Sequence, residues 1–260
     1  MFFFCRAATR YIYSASTNRY SNISLQSRIF SEFHFVKHTI NLGMQYKTND
    51  FILKGCLHNA DVVFMVDSST SVGSENFQKT QNALKNIITN MDIGHNKVQV
   101  GVMQYSSYPM MGFPLKLYGN RGDVLHAVEN LHMTSGGTNT ADAIKFTTDE
   151  MFSATSGARS NVPRIAILLT NGGTVDSQAA INAANVARQA GIGINVVAVG
   201  NNVNQQEIQA IANQPAGSHV VTVNNFDQLE QQATNILNQA CAGEYSNKSN
   251  VFLHLFYNII

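Results

Sequence analysis

A chain of 260 residues with a formal net charge of +1 and 13% charged residues offers no dominant field for nucleic acid or an anionic membrane surface. No stretch of 18 or more apolar residues occurs, so no membrane-spanning helix is expected. Hydrophobic residues make up 44%, enough for one substantial core.

The chain opens on the apolar run Met1-Phe2-Phe3-Phe4-Cys5, which Arg6 ends too early for a secretory leader. Arg6, Arg10, Arg19 and Arg28 sit among Ser and Thr before the first acidic residue, Glu32. That pattern has a weak likeness to a transit peptide. The favoured expectation is a truncated or mispredicted start. Residues 1–55 and 244–260 are therefore read as irregular segments around one domain at 56–243.

Asp61 to Val66 is an almost unbroken apolar run, as a strand buried on both faces requires. From Ser74 to Met91, apolar residues at Phe77, Leu84, Ile87, Ile88 and Met91 follow a helical period. Lys97 to Tyr105 reads as the next strand. A shorter strand is expected around Phe113 to Leu117, placed on an edge because Pro109 and Pro114 flank it. Helices are expected over about Gly122 to Leu131 and Ala141 to Phe152. Arg164 to Leu169 is a further buried strand, followed by a helix from Asp176 to Gln189 that Gly191 ends. Ile192 to Val199 is a strand, Gln205 to Ala212 a short helix, and His219 to Val223 a last strand. Phe226, Leu229, Ala233, Ile236, Leu237 and Ala240 form the stripe of a closing helix.

Strands alternating with helices predict an α/β, doubly wound fold. The expected sheet has six strands, mostly parallel, with one antiparallel edge strand and helices on both faces. Ligands of such sheets bind beyond the carboxyl ends of the strands, where the strand order reverses. Attention falls on the loops after Val66, Leu131, Leu169 and Val199.

After the first strand comes Asp67-Ser68-Ser69-Thr70-Ser71. Alternate side chains of an extended segment point the same way, so Asp67, Ser69 and Ser71 can converge. Their oxygens suit a hard cation such as Mg²⁺, Ca²⁺ or Mn²⁺, although helix capping is the ordinary use of such residues. Thr138, in the Gly136-Gly137-Thr138-Asn139-Thr140 loop, and Thr170-Asn171-Gly172 are predicted at the same end of the sheet.

The run DVVFMVDSSTSVG, the GGTNT loop, ILLTNG and NVVAVG together resemble a von Willebrand factor type A domain of the matrilin and collagen VI kind, over about residues 58–243. The resemblance implies a metal-ion-dependent adhesion site. Asp67, Ser69 and Ser71 match its Asp-x-Ser-x-Ser segment, and Thr138 matches the threonine of its second loop. Asn171 stands where the family usually has Asp, keeping an oxygen but losing a charge. The expected cofactor is a divalent cation, Mg²⁺ first, with Ca²⁺ or Mn²⁺ as alternatives. The expected partner is an extracellular matrix or cell-surface protein such as collagen, with no nucleic acid and no membrane insertion. The implied setting is secreted, within a larger multi-module protein. A metal-independent structural matrix domain with a degenerate site is the alternative.

Cys56 and Cys241 sit just outside the two ends of the regular region. A bond between them would fasten those ends and imply an oxidising compartment. Two free thiols are the alternative. Arg121-Gly122-Asp123 falls where a helix should begin, with Asp123 near its N-terminus, which argues against an extended recognition loop. HExxH, GxSxG and GxxxxGK[ST] are all absent, so no enzyme is expected.

Overall fold

The computed structural model describes residues 59–240. Segments 1–55 and 244–260, and the Cys56–Cys241 pair, lie outside the described residues.

Six strands are β1 (Ala60–Asp67), β2 (Val98–Tyr105), β3 (Pro109–Phe113), β4 (Arg164–Thr170), β5 (Ile192–Val199) and β6 (Val220–Val223). They form one sheet in the order β3-β2-β1-β4-β5-β6. All pairings are parallel except β2 with β3. The order reverses between β1 and β4, so the crevice beyond Asp67 and Thr170 is the switch point.

Helices cover both faces: α1 (Ser74–Thr89), α2 (Arg121–Glu129), α3 (Thr140–Phe146), α4 (Ser177–Gln189), α5 (Gln205–Ile211) and α6 (Phe226–Leu229). A 3₁₀ turn, Glu230–Gln232, links α6 to a last helical stretch at 233–240. Among the described residues no helix is long and apolar enough to cross a membrane.

The pleat divides the core in two. Val62, Phe64 and Val66 of β1 pack beneath Leu84, Ile87 and Ile88 of α1, with Ile236 and Leu237 of the last helical stretch in the same layer. Val63 and Met65 face the opposite layer, with Ile144 of α3, Ala180 and Ala184 of α4 and Ile208 of α5. Both faces of β1 are dry, which is why its sequence is continuously apolar and not alternating.

One expected strand is displaced. The edge strand runs Pro109–Phe113, ahead of the expected Phe113 to Leu117. Pro114 cannot donate to a ladder, and the Lys116 amide bonds to the Ser156 carbonyl instead. Pro109 opens the strand, a position where proline is tolerated. The helix expected from Ala141 to Phe152 is α-helical only to Phe146. It continues as a π-helical turn over Thr147–Met151.

At the amino end of β1, Asp61 is fully buried. Arg159 closes on it with Nε donating at 2.8 Å and its own amide at 2.6 Å. The same guanidinium donates to the carbonyls of Ala60 at 2.9 Å and Lys97 at 2.8 Å. One arginine thus ties β1, the approach to β2 and the approach to β4 at the end opposite the switch point.

Arg121-Gly122-Asp123 begins α2. The Asn120 side chain caps it by accepting from the Asp123 amide at 3.0 Å. The tripeptide is therefore a helical first turn, as expected, and no extended loop.

Candidate metal centre

Asp67 ends β1 and is 4% exposed. Its Oδ1 accepts from the Ser69 amide at 2.9 Å. Its Oδ2 is buried without a hydrogen-bond partner among the described residues. Burial pushes the carboxyl above its ordinary value of 3.8, opposed by the nearby Ser69 hydroxyl and the Ser69 and Asn171 backbones. A buried carboxylate with one bare oxygen is costly. A cation bound through oxygen would satisfy it.

Neutral oxygens stand beside it. The Ser69 and Ser71 hydroxyls are 3.0 Å apart, and Ser71 Oγ donates to Asn171 Oδ1 at 3.2 Å. Ser69 is fully buried, Asn171 half-buried and Ser71 exposed, so the cluster has a dry floor and an open rim. Thr138 is half-buried on the next loop, and its hydroxyl makes no hydrogen bond to the other four among the described residues. Asp67, Ser69, Ser71 and Asn171 are thus joined by hydrogen bonds, whereas Thr138 is placed through its backbone. Among the described residues no group of three or more His, Cys, Asp or Glu gathers. The donor set fits a hard, oxygen-seeking ion held by one carboxylate and several neutral oxygens.

The residues between the candidate ligands do different work. Ser68 Oγ donates to the Tyr105 carbonyl at 3.1 Å and lies 2.5 Å from Thr134 Oγ1. The Ser135 amide donates to the Ser68 carbonyl at 2.9 Å. Thr70 exchanges two hydrogen bonds with Gly136. Gly136 has φ +101°, and a Cβ there would stand 2.7 Å from Ser107 Oγ, so both conformation and close approach require glycine. Ser135 also has positive φ, at 60°, a sparsely populated region for a residue other than glycine. Asp67, Ser69 and Ser71 form the cluster, while Ser68 and Thr70 bind the loop that delivers Thr138.

Beneath the cluster Tyr105 is fully buried, and its hydroxyl donates to the Leu169 carbonyl at 3.2 Å. Burial, and then the charge of nearby Asp67, holds its phenol well above its ordinary value. It therefore stays a neutral donor, bracing the end of β2 against β4 under β1.

Glu207 of α5 supports the far side and is 4% exposed. It accepts from the Thr174 amide at 3.3 Å and from the Ser177 hydroxyl. Thr174 Oγ1 then donates to the Thr138 carbonyl at 3.2 Å and accepts from the Thr140 amide at 3.1 Å. A chain of hydrogen bonds runs from Glu207 through Thr174 to Thr138. The sequence reading missed Glu207, Thr174, Ser68 and Thr70. Alternation in 67–71 carries a signal for the last two, but no local pattern links Glu207 to a loop more than 30 positions earlier.

The sequence profile of the von Willebrand factor type A domain matches residues 61–235. The collagen alpha-4(VI) chain of Mus musculus is 36% identical over 185 residues, covering 70% of this chain and 8% of that protein. Matrilin-1 of Gallus gallus is 32% identical over 184 residues, covering 71% of this chain and 37% of the relative. The chain thus spans well under half the length of these relatives. Among solved structures, proximal thread matrix protein 1 from the mussel byssus, with a zinc-occupied MIDAS motif, superposes with TM-score 0.68 at 22% identity, over 72% of this chain and 49% of that one. The manganese-loaded TRAP protein of Plasmodium vivax gives TM-score 0.58 at 18% identity, over 70% of this chain and 74% of that one. With six strands in a single switched sheet and a profile match across most of the described residues, the chain belongs to the von Willebrand factor type A domain family.

Proposed function

We propose that this domain is an extracellular protein-binding module of matrix assembly, which grips an acidic group of its partner through a divalent cation. Asp67, Ser69, Ser71, Thr138 and Asn171 would hold the ion. The observation that carries the reading is the bare, buried Oδ2 of Asp67 beside the Ser69–Ser71–Asn171 hydroxyl and amide chain at the switch point. A cation held mostly by neutral oxygens keeps much of its charge and attracts a carboxylate. The open rim at Ser71 and Asn171 leaves room for that carboxylate to arrive from solvent. Mg²⁺ is the proposed ion. The zinc and manganese in the names of the two fold neighbours support a divalent cation in general.

The matrix setting rests on the collagen and matrilin relatives. The role is binding, not catalysis. The cluster hydroxyls bond to one another and to Asn171, and among the described residues no histidine or lysine is bonded to them to take a proton. Asn171 favours a second reading, a structural matrix domain that binds without metal.

Thermal unfolding of the wild type and Asp67→Asn, with and without Mg²⁺ or Mn²⁺, separates the two. Cation should raise the wild-type melting temperature and leave the variant's unchanged. If cations shift neither protein and chelation leaves matrix-protein binding intact, the metal-dependent reading is wrong and the structural one stands.

A further inference from the structure

A cleft of about 260 Å³ shares Asn171 with the oxygen cluster. It is lined by Asn76, Asn171, Asn201, Asn202, Asn224 and Asn225. Asn171 follows β4, Asn201 and Asn202 follow β5, and Asn224 and Asn225 follow β6, so three strand ends contribute. The Gly200 amide donates to the Val223 carbonyl at 2.8 Å and joins the last two loops. Asn171 belongs both to this cleft and to the cluster, through its bond with Ser71.

Three of these amides are committed within the fold. Asn76 donates to the Val72 carbonyl at 2.9 Å, Asn171 accepts from Ser71, and Asn225 accepts from the Gln228 amide at 3.1 Å. The side chains of Asn201, Asn202 and Asn224 have no hydrogen-bond partner among the described residues and are exposed. Each offers two N–H donors and one carbonyl acceptor.

The two charged residues of the lining, Lys79 and Asp227, pair with each other. Lys79 pairs with Glu75 at 2.9 Å and with Asp227 at 2.8 Å. Phe226, also in the lining, is half-buried and packs against the core. The cleft falls below the roughly 300–1,000 Å³ of pockets that enclose a whole small molecule. A neutral wall of amide donors and acceptors of this size matches a short length of peptide main chain.

We infer that this cleft is a main-chain subsite, continuous with the cation cluster at Asn171, that holds the peptide segment flanking the partner's acidic residue. Asn201, Asn202 and Asn224 hydrogen-bond that segment's N–H and C=O groups. The carboxylate supplies the anchor and the amides fix the direction in which the partner leaves it. The inference rests on the proposed function, because the anchor is the cation-bound carboxylate.

The test uses the ¹⁵N-labelled full chain with saturating Mg²⁺ and four probes: acetate, a capped pentapeptide with one glutamate between glycines, the same peptide with glutamine instead, and a neutral glucose oligomer. Acetate should shift signals around Ser69, Ser71, Thr138 and Asn171 and leave the side-chain amides of Asn201, Asn202 and Asn224 unmoved. The glutamate peptide should also shift the side-chain amides of Asn201, Asn202 and Asn224. Asn201→Ala with Asn202→Ala should weaken the glutamate peptide about five- to tenfold and leave acetate unchanged. Equal affinities of wild type and double variant for that peptide overturn the proposal, as do shifts of the asparagine signals by the glucose oligomer alone. If neither acetate nor the glutamate peptide responds to Mg²⁺, the cation reading fails by itself. The glutamine peptide at high concentration then decides the cleft: shifts at the three asparagines keep it as a peptide site, and their absence removes it.

Discussion

Thr70 and Gly136 exchange a pair of hydrogen bonds. The Thr70 amide donates to the Gly136 carbonyl at 3.0 Å, and the Gly136 amide donates to the Thr70 hydroxyl at 2.8 Å. Two loops 66 residues apart are clasped at their tips by this exchange. Replacing Thr70 with Val keeps the shape and removes the acceptor. We expect a stability loss of about 0.5–1.5 kcal/mol, a fall in melting temperature of about 1–6 °C for a domain this size. Mg²⁺ affinity should fall as well, although none of the candidate ligands has changed. An unchanged calorimetric affinity would show that the Thr138 loop does not depend on this clasp.

Asn171 brings a neutral oxygen to the cluster. Asn171→Asp adds an anionic ligand, which should tighten Mn²⁺ or Mg²⁺ binding by about tenfold or more. In chelator the same variant should melt lower than wild type, because a second carboxylate then repels Asp67. Calorimetry and melting curves read both effects. A variant with wild-type cation affinity places residue 171 away from the ion.

Glu207 reaches the cluster only through Thr174. In Glu207→Gln one acceptor oxygen becomes an amide donor facing other donors. The expected loss is about 1–3 kcal/mol. Amide exchange should quicken at Thr174 and Val175, whose N–H groups bond to Glu207 and Thr138. Exchange that quickens evenly across the domain would mean that Glu207 stabilises the fold without positioning the loop.

Arg159 tests the opposite end. Arg159→Ala removes the guanidinium from the fully buried Asp61 carboxylate and from the Ala60 and Lys97 carbonyls, leaving Asp61 the amide of residue 159. Breaking a buried pair from one side costs about 3–5 kcal/mol. Cation affinity of the folded fraction should be unchanged, since the cluster lies at the other end of β1. A strong change there would show coupling along the whole strand.

His219 is 3% exposed, with Nδ1 3.0 Å from Asn195 Oδ1. Burial lowers its proton affinity below the ordinary 6.5. The unfolded chain then binds a proton that the folded chain resists. Stability from this group is complete above about pH 6.5 and is lost as the pH falls towards the depressed folded value. Denaturant titrations at pH 7.5 and pH 5.5 should show a loss for the wild type that His219→Gln reduces. Equal losses in both proteins would assign the acid sensitivity to other groups.

Much of this molecule was legible in the sequence, for identifiable reasons. Strands β1, β4 and β5 are dry on both faces, so continuous apolar runs announce them. The order of strands and helices predicts the switched sheet and therefore the end at which Asp67 and Asn171 meet. The edge strand was less legible, because Pro109, Met110 and Met111 carry no alternating pattern and the exposed edge imposes none. Glu207 was illegible for another reason. It looks like an ordinary helix residue, and only the fold brings α5 under the loop after β4. The ligand role of Thr138 rests on the family resemblance, since the hydrogen bonds seen here fix its backbone and not its hydroxyl.

The division of labour along 67–71 has a consequence for engineering. Odd positions face the cluster and even positions clasp the turn at 134–136. A substitution changes one of these contacts, but inserting or deleting one residue exchanges the two sets and abolishes both. The run and its clasped turn therefore behave as a single cassette. Grafted together onto a related sheet they should keep their geometry, whereas either half moved alone would arrive without the partner that shapes it.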